Sequence, residues 1–493
     1  MNNKKTYKAI LKSTSIFGSV QIITVLTALI KSKIITTLIG PYGYGIYSVL
    51  INTSDLMKQI SLMGIDVSGV RKIAETDSEN DVNVLKQNVA IISKLVLLAG
   101  IVGFFLTLSL SFLLSNILFS STNYWYLFLF LSVAIFFNCL SAGNIAILQG
   151  NSKFNKLARS NLTSSLSSLF FAIPLFYFLK TEAIIYVIVF TALVNYFITK
   201  YFVQFLLVSS PLISFKTAIL QGKGVLKFGS LLMLLSFLPL LANYIIQIFI
   251  GKIDGLDEVG LFNVGMVVLN TYVGFVFSAM SMEYYPRLVS QVADFKKLSN
   301  SVNQQIEVSL LIITPILLLF SVFCEFFIKI FFSIKFLSLI PMLDWAIFAM
   351  FFKAVSFPIG YVFIAKADSK VFLKTSIFFN SLFTILCILG YFFYGFNGLG
   401  FSFFIYYIFH LISVYLISLK RYNLRLKSTT INIFLINLLF CTTIFILNLY
   451  KTIEVLSIIR ILVLMSSVVY SIVTLNKFVP IFDYFNKKND ECK

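Results

Sequence analysis

Charged residues are scarce in this chain of 493 residues, and only 12% of its positions are Asp, Glu, Lys or Arg. Soluble domains contain about a quarter charged residues, whereas 59% of this chain is hydrophobic and its mean hydropathy is +0.93. A core formed in water could not enclose that much apolar surface. The scarcity of charge therefore excludes a soluble protein and predicts an integral membrane protein.

Cysteine and histidine are also rare, which excludes several kinds of chemistry. The five cysteines stand singly, without CxxC spacing, and His410 is the one histidine. Such a set supports neither a metal site nor a Cys/His nucleophile. The sequence also lacks a P-loop and a GxSxG turn, so ATP-driven transport and hydrolase chemistry lack their usual residues. We expect no metal, no cofactor and no catalytic residue.

Hydrophobic runs long enough to cross a bilayer fill most of the chain. A spanning helix needs about 20 mainly apolar residues. The runs lack the alternation of a membrane β-barrel, so we predict an all-α polytopic membrane protein. The first run follows a basic start but has no A-x-A cleavage site, so we predict a retained helix. The sequence predicts fourteen spans, near 12–39, 43–70, 88–115, 123–148, 157–179, 183–208, 225–250, 259–285, 303–330, 341–365, 371–394, 397–419, 431–449 and 453–475.

Basic residues mark one side of these predicted spans. With the N-terminus placed in the cytoplasm, every predicted cytoplasmic segment carries three or more Lys or Arg, and every outer one carries at most two. This asymmetry predicts that both termini are cytoplasmic. It also accounts for most of the net charge of +19, which would otherwise favour nucleic-acid binding. We expect no nucleic-acid partner.

The predicted helices fall into two similar halves. The segment IITTLIG at 34–40 matches IIQIFIG at 245–251, and GIYSV at 45–49 matches GLFNV at 260–264 after a four-residue insertion. Parallel repeats are typical of transporters whose two lobes rock about a central site. We predict an N-terminal six-helix lobe at 1–208, a cytoplasmic linker at 209–224, a C-terminal six-helix lobe at 225–420, and two additional helices with a cytoplasmic tail at 421–493.

Short motifs in these helices resemble those of the polysaccharide flippases. They are the G-P-x-G-x-G turn that begins at Gly40, the turn LQGNSKF at 148–154, and EYYPR at 283–287. In architecture the chain resembles, over almost its whole length, the lipid-linked oligosaccharide translocases of the multidrug/oligosaccharidyl-lipid/polysaccharide exporter superfamily, which includes the O-antigen translocases.

This resemblance implies a transporter of the bacterial inner membrane and not an enzyme. The implied activity is movement of an undecaprenyl-diphosphate-linked oligosaccharide from the inner to the outer leaflet, for O-antigen or capsule synthesis. The implied partners are this lipid-linked substrate, the membrane lipids, and the polysaccharide polymerase with its chain-length machinery.

Several charged residues lie inside predicted spans, where hydration is hardest to obtain. Lys31 lies nine residues before Gly40, and Lys353 lies near the centre of the tenth span, so they come from different predicted lobes. Ammonium groups at a site between lobes would bind a diphosphate. Lys33 lies roughly 200° around the helix from Lys31, so Lys31, the deeper one, is the preferred ligand. We predict a cationic cavity formed by Lys31, Lys353, Lys58 and Lys33.

The second predicted span, with the sequence NTSDLMKQISLMGID, is the most polar. Asp55, Gln59, Leu62 and Asp66 are spaced four, three and four residues apart, which predicts one stripe on a helix. Lys58 follows Asp55 by three residues and can pair with it. Asp55 and Asp66 are candidates for coupling to a proton or sodium gradient, and pairing with Lys58 is the alternative.

Two amides complete the predicted site. Asn243 and Gln247 are spaced i, i+4 in the seventh span, on one face of a helix. They are candidate hydrogen-bond partners for sugar hydroxyls. For each buried polar or charged group, structural pairing within the protein is the alternative interpretation.

Three other functions stay open at the level of sequence. A cation-coupled multidrug exporter of the same superfamily would need an acidic cavity, whereas the predicted cavity is basic. A membrane glycosyltransferase or polymerase usually has a long outer loop or clustered catalytic residues, and every predicted outer loop here is short. A scaffold without transport activity is the third alternative. The leading hypothesis is transport, by alternating access, of an anionic lipid-linked sugar.

Overall fold

A computed structural model describes residues 2–78, 82–207, 210–366, 368–450 and 454–478. Side chains are described from residue 26 onward, apart from those of residues 76, 77, 78, 272, 275, 278, 279, 282, 369, 454, 455 and 478. Within these segments the chain is helical and contains no strand. In a helix the backbone N–H and C=O groups bond to each other. This is required in a membrane because hydrocarbon offers them no hydrogen-bond partner. The predicted all-α fold is confirmed.

Nine helices form the first part of the described chain. They are α1 (Asn2–Leu62), α2 (Ile65–Ser78), α3 (Val82–Ser109), α4 (Ser111–Phe119), α5 (Trp125–Gly150), α6 (Phe154–Leu179), α7 (Ala183–Leu207), α8 (Phe215–Gln221) and α9 (Lys223–Ile253). Short 3-10 turns at Thr122–Tyr124 and Lys180–Glu182 connect α4 to α5 and α6 to α7.

Eight helices follow. They are α10 (Leu256–Val267), α11 (Gly274–Ser290), α12 (Phe295–Val322), α13 (Cys324–Phe331), α14 (Ile340–Ala365), α15 (Ser369–Tyr422), α16 (Ser428–Leu449) and α17 (Glu454–Phe478). A π-helical turn at Val268–Val273 joins α10 to α11, and a 3-10 segment at Ile334–Leu339 precedes α14.

Ten helical segments of the described chain are long and apolar enough to cross a membrane. Three of these segments contain two helices each. Leu26–Leu62 turns at Gly40, Phe154–Leu207 contains α6 and α7, and Lys370–Tyr422 turns at Tyr394 and Gly395. The polytopic architecture is therefore as predicted, and the exact number of fourteen crossings stays a prediction.

Gly40 divides α1 into two helices, as the sequence predicts. Its φ is 66° and its ψ is −170°, a conformation that residues with a Cβ rarely adopt. Pro41 follows at the start of the second helix, where its fixed φ is favourable and its missing N–H has no consequence.

The two segments that match in sequence also touch each other. A Cβ on Gly45 would overlap the carbonyl oxygen of Leu256, and a Cβ on Gly260 would overlap the carbonyl oxygen of Pro41. Glycine at both positions permits this close backbone approach. The two segments differ in one detail, because α9 continues through Gly251, the counterpart of Gly40, and turns at Gly255, with φ 91°.

Backbone contacts divide the chain into two compact units. Unit 1 extends to Gly260 and includes Ile330–Lys335, whereas unit 2 contains Leu261–Lys329 and the chain from Phe336 onward. Unit 1 thus contains α8, which lies in the predicted linker, and α9, which contacts α1 and α2. The lobe boundaries drawn from the sequence stay a prediction.

Candidate functional site

Lys31 lies in unit 1 on α1, before the turn at Gly40. Its ammonium group donates a hydrogen bond of 2.8 Å to the hydroxyl of Ser168 on α6, and the lysine is half-buried. Lys31 forms no ion pair with any residue that the structure describes. A neutral hydroxyl does not compensate the charge, and an uncompensated charge at a helix centre costs about 2.5–3.5 kcal/mol. Lys31 is therefore a site of surplus positive charge.

Lys33 is half-buried on the same helix. Its carbonyl oxygen accepts from the hydroxyl of Thr37 at 2.7 Å and from that of Thr36 at 3.2 Å. Residues two positions apart on an α-helix point in directions about 200° apart. Lys31 and Lys33 thus leave the helix on different faces, and Lys33 is the weaker candidate for the same ligand.

Lys58 and Asp55 form an ion pair on α1 after the turn. The distance between Nζ of Lys58 and Oδ1 of Asp55 is 2.8 Å, so the pairing predicted from the spacing is confirmed. The neighbouring Gln59 donates from its amide to the hydroxyl of Ser236 on α9 at 2.5 Å. The charge of Lys58 is balanced locally, unlike that of Lys31.

Asp66 does not continue the stripe that the sequence predicts. Helix α1 ends at Leu62, Met63 has φ 47° and Gly64 has φ 70°, and Asp66 lies in the first turn of α2. The prediction of a single stripe was wrong at this residue because an α-helix cannot continue through two positive φ angles. A Cβ on Gly64 would overlap the backbone of Gly229 on α9, so the turn requires glycine. Oδ1 of Asp66 is buried without a hydrogen-bond partner in the described chain.

The two predicted amides have different surroundings on α9. Gln247 is 1% exposed, and its side-chain oxygen accepts from the amide of Asn52 on α1 at 2.5 Å. Asn243 donates to the carbonyl oxygen of Pro239 at 3.0 Å, while its Oδ1 is buried and has no partner in the described chain. Gln247 thus holds α9 against α1, whereas Asn243 has an acceptor atom that no described residue uses.

Lys353 lies in unit 2 on α14 and is surrounded by rings rather than by acids. Its Nζ lies 5.1 Å from the ring centroid of Phe277 on α11 and 5.7 Å from that of Tyr407 on α15. It forms no ion pair with the residues that the structure describes. Cation–π contacts are worth about 0.5–2 kcal/mol and leave the charge available to an anion. That Lys31 and Lys353 share one cavity stays a prediction.

Unit 2 also contains a buried carboxyl group held by hydroxyls. Oε1 of Glu307 on α12 accepts from the hydroxyls of Thr429 at 2.9 Å and Thr430 at 2.6 Å, both on α16. Asn303, one turn earlier on α12, accepts from the backbone N–H of Lys427 at 2.9 Å. These bonds attach the first turn of α16 to α12.

The partners that define these environments could not be predicted from the sequence. Ser168, Phe277 and Tyr407 are far along the chain from the lysines they contact. Nothing in their sequence surroundings distinguishes them, since phenylalanine alone occurs 55 times. No group of three or more His, Cys, Asp or Glu that could hold a metal occurs in the described chain.

Comparisons with known proteins agree with this architecture. A family model described as polysaccharide biosynthesis protein matches residues 34–341. A search of curated proteins finds no match. Solved structures with a similar fold include the lipid II flippase MurJ in an inward closed conformation, which is 14% identical with a TM-score of 0.73, over 94% of this chain and 99% of that one.

Two MATE transporters share the fold as well. An inward-facing multidrug resistance MATE family transporter of the MOP superfamily is 15% identical with a TM-score of 0.68, over 81% of this chain and 94% of its own. The Vibrio cholerae MATE transporter VcmN, in its bent form, is 14% identical with a TM-score of 0.53, over 84% of this chain and 99% of its own. Identities this low show a shared fold alone. The match of the family model over most of the sequence shows that the chain belongs to the polysaccharide biosynthesis protein family, with the fold of the MOP-superfamily transporters and flippases.

Proposed function

We propose that the protein is a flippase for an undecaprenyl-diphosphate-linked oligosaccharide. It moves this lipid from the inner to the outer leaflet of a bacterial cytoplasmic membrane, with both termini in the cytoplasm, for O-antigen or capsule synthesis. It works by alternating access with no chemical change to the substrate. The polymerase and chain-length machinery that consume the product are proposed partners.

The observation that carries this proposal is the surplus of positive charge in both units. Lys31 and Lys353 each lie inside a membrane-spanning helix, and neither has an acidic partner in the described chain. Such charges are costly in hydrocarbon. A diphosphate would compensate both of them through charge-assisted hydrogen bonds. Lys33 lies on the same helix as Lys31, whereas the charge of Lys58 is already neutralised by Asp55.

Two further roles follow from unpartnered buried atoms in unit 1. The free oxygen of Asp66 makes it a better candidate for proton or sodium coupling than Asp55, which is paired with Lys58. The free Oδ1 of Asn243 makes it a better candidate for a sugar hydroxyl than Gln247, which already binds Asn52.

A cation-coupled multidrug exporter is the second candidate, because the solved structures with this fold include a multidrug resistance transporter. A cationic drug requires an acidic binding site. Lys31 and Lys353 would repel such a drug, so the balance of charge favours the flippase.

The test replaces Lys31 and Lys353 by alanine, one at a time, in proteoliposomes containing a fluorescent undecaprenyl-diphosphate-linked oligosaccharide. Each variant should lose transport by at least about tenfold, the effect of removing about 1.4 kcal/mol of binding, while protein level and thermal stability hold. Lys200→Ala is the matched control, since Lys200 lies over the ring of Tyr196 and is exposed. Full transport by both variants would remove the two lysines from the mechanism, and efflux of a cationic dye would favour the exporter.

A further inference from the structure

A concave groove lies on unit 1 between α6 and α7. Its volume is about 690 Å³, and all of its lining side chains are aliphatic or aromatic. Phe171, Pro174 and Leu175 form the wall on α6, and Tyr186, Val189 and Phe190 form the wall on α7. No charged side chain lines the groove, so its ligand must be a hydrocarbon along the enclosed length.

The shape of the groove follows from the local sequence. Pro174 has no N–H, so the carbonyl group of Phe170 loses its helical partner, and the short ring of Pro174 leaves space beside it. The rings of Phe171 and Phe190 meet edge to face with their centroids 4.5 Å apart, linking the two helices next to that space. A short residue between large rings produces a concavity on a helix face.

The surroundings of the groove are lipid rather than water. Both helices belong to a segment apolar enough to cross the membrane, and their outer faces are exposed, with Phe170 at 70% and Tyr186 at 53%. Exposed apolar side chains at membrane depth are covered by hydrocarbon chains. The groove is therefore open to a lipid that diffuses in the bilayer.

One end of the groove has a free positive charge. The α6 wall runs from Phe170 to Leu179, about 14 Å at 1.5 Å per residue, and Lys180 follows directly in the turn. Lys180 is exposed and forms no ion pair with the described residues. Glu182 is also exposed, but it lies just before α7, where the helix dipole stabilises a carboxylate. Lys180 remains available for the phosphate group of a lipid whose chain lies in the groove.

We propose that this groove binds the polyprenyl chain of a polyprenyl phosphate or diphosphate, with its phosphate at Lys180. An isoprene chain carries a methyl branch and a double bond in every unit, so it is thicker and stiffer than a saturated acyl chain. A thicker chain contacts both walls, and a stiffer chain loses less conformational entropy when it is ordered. The inference deepens the proposed function, on which its choice of lipid rests, and it describes a binding step separate from the one at Lys31 and Lys353.

The test uses a photoreactive benzoylphenylalanine at position 186 in the full-length protein, in nanodiscs of phosphatidylethanolamine and phosphatidylglycerol with tritiated undecaprenyl phosphate. Position 177 is the matched control. Tyr177 is also a tyrosine, it lies near the end of α6 that precedes α7, it is 66% exposed, and it does not line the groove. Labelling should be about tenfold stronger at position 186, equivalent to about 1.4 kcal/mol of preference. Unlabelled undecaprenyl phosphate should compete, and added phosphatidylglycerol should not.

Two outcomes would overturn the proposal. Equal labelling at both positions, or equal competition by phosphatidylglycerol, would mean that ordinary bilayer lipid fills the groove. A crosslink between two copies of the chain at position 186 would mean that the groove is a protein interface.

Filling the groove supplies a second, independent measurement. Val189→Trp should reduce labelling at position 186 by about tenfold, whereas Leu166→Trp, on the exposed face of α6 outside the groove, should leave it unchanged. If Val189→Trp lowers thermal stability, Leu193→Phe makes a smaller change on the same wall and should have the same effect on labelling. Unchanged labelling in folded filling variants contradicts the proposal.

The positive charge at Lys180 is tested separately. Lys180→Glu should weaken competition by unlabelled undecaprenyl phosphate for labelling at position 186.

The labelling experiment requires neither an oligosaccharide nor transport. If Lys31→Ala and Lys353→Ala retain transport while position 186 is labelled selectively, lipid binding in the groove is supported and the head-group site at the two lysines is contradicted. If transport depends on both lysines while labelling is unselective, the proposed function is supported and polyprenyl binding in the groove is contradicted.

Discussion

Lys58 and Lys353 are both lysines within membrane-spanning helices, but the protein surrounds them differently. Lys58 is neutralised by Asp55, one helical turn away, at 2.8 Å. Lys353 is approached by the rings of Phe277 and Tyr407, which carry no formal charge. The difference shows that a charged residue inside a span can have either a structural or a ligand-binding role, depending on its neighbours. A charge neutralised within its own helix contributes to structure, whereas one held by rings or by a hydroxyl keeps its attraction for an anion.

Charge reversal should have the largest effect on transport at Lys353 and little effect at the pair of Asp55 and Lys58. Exchanging the pair, as Asp55→Lys combined with Lys58→Asp, preserves neutrality, so transport should stay within about twofold of the wild type, the effect of a paired-charge change of under about 1 kcal/mol. Lys353→Glu places an acid where an anionic head group is expected to bind, so transport should fall by more than about 100-fold. Transport of a fluorescent lipid-linked oligosaccharide in proteoliposomes measures both.

Loss of transport in the exchanged pair, with normal stability, would show that Asp55 or Lys58 acts on the substrate or the coupling ion. Comparable transport by the wild type and Lys353→Glu would place Lys353 outside the substrate path.

Glu307 extends the comparison to a buried anion, since its partners are also neutral. Thr430 is 1% exposed, and its hydroxyl lies 2.6 Å from Oε1 of Glu307 and 2.9 Å from Oδ1 of Asn303. Thr430→Val keeps the shape and removes the hydroxyl, which leaves buried acceptors with fewer partners. We expect a loss of about 1–3 kcal/mol in the free energy of unfolding, measured by thermal unfolding in detergent.

Thr442→Val is the matched control on the same helix, because the hydroxyl of Thr442 donates to the carbonyl oxygen of Leu439 in its own helix, at 3.0 Å, and to no other residue in the described chain. Equal stability of the two variants would show that the bonds to α12 contribute nothing to holding α16.

Asp368 provides a charge pair outside the apolar spans, where the smallest effect is expected. Its carboxylate accepts from Arg421 at 2.7 Å, from the hydroxyl of Tyr422 at 3.0 Å and from the backbone N–H of Val371 at 3.3 Å. Desolvation raises the pKa of Asp368, but these hydrogen bonds outweigh it, and the pKa lies below its ordinary value of 3.8.

A carboxyl group with a lowered pKa stabilises the folded protein above its ordinary pKa, and this contribution disappears as the pH falls through the lowered value. Thermal unfolding should therefore show Asp368→Asn to be less stable than the wild type at pH 7, with the difference shrinking as the pH falls below about 4. The exposed pair of Arg71 and Glu75 is the control, and Glu75→Gln should change stability little. A stability difference between Asp368→Asn and the wild type that does not change with pH would contradict the lowered pKa of Asp368.

Much of the fold and part of the site could be predicted because they depend on near neighbours in the chain. The apolar runs indicate membrane helices, and Gly40 followed by Pro41 marks the turn within α1. The pairs of Lys58 with Asp55 and of Arg287 with Glu283, the latter at 3.0 Å, follow from spacings of three and four residues. The prediction for Asp66 was wrong because the helix ends at Leu62, and nothing in the hydrophobic pattern marks that end.

The sequence by itself determined that this protein crosses a membrane as helices, since backbone groups in hydrocarbon must bond within their own helix. It also determined which lysines lie inside those helices. Only the tertiary structure decided that Lys31 meets Ser168, 137 residues away, that Lys353 lies among rings, and that α6 and α7 enclose a groove. Such contacts depend on which apolar faces pack together, and one apolar face attracts another with little regard to its sequence.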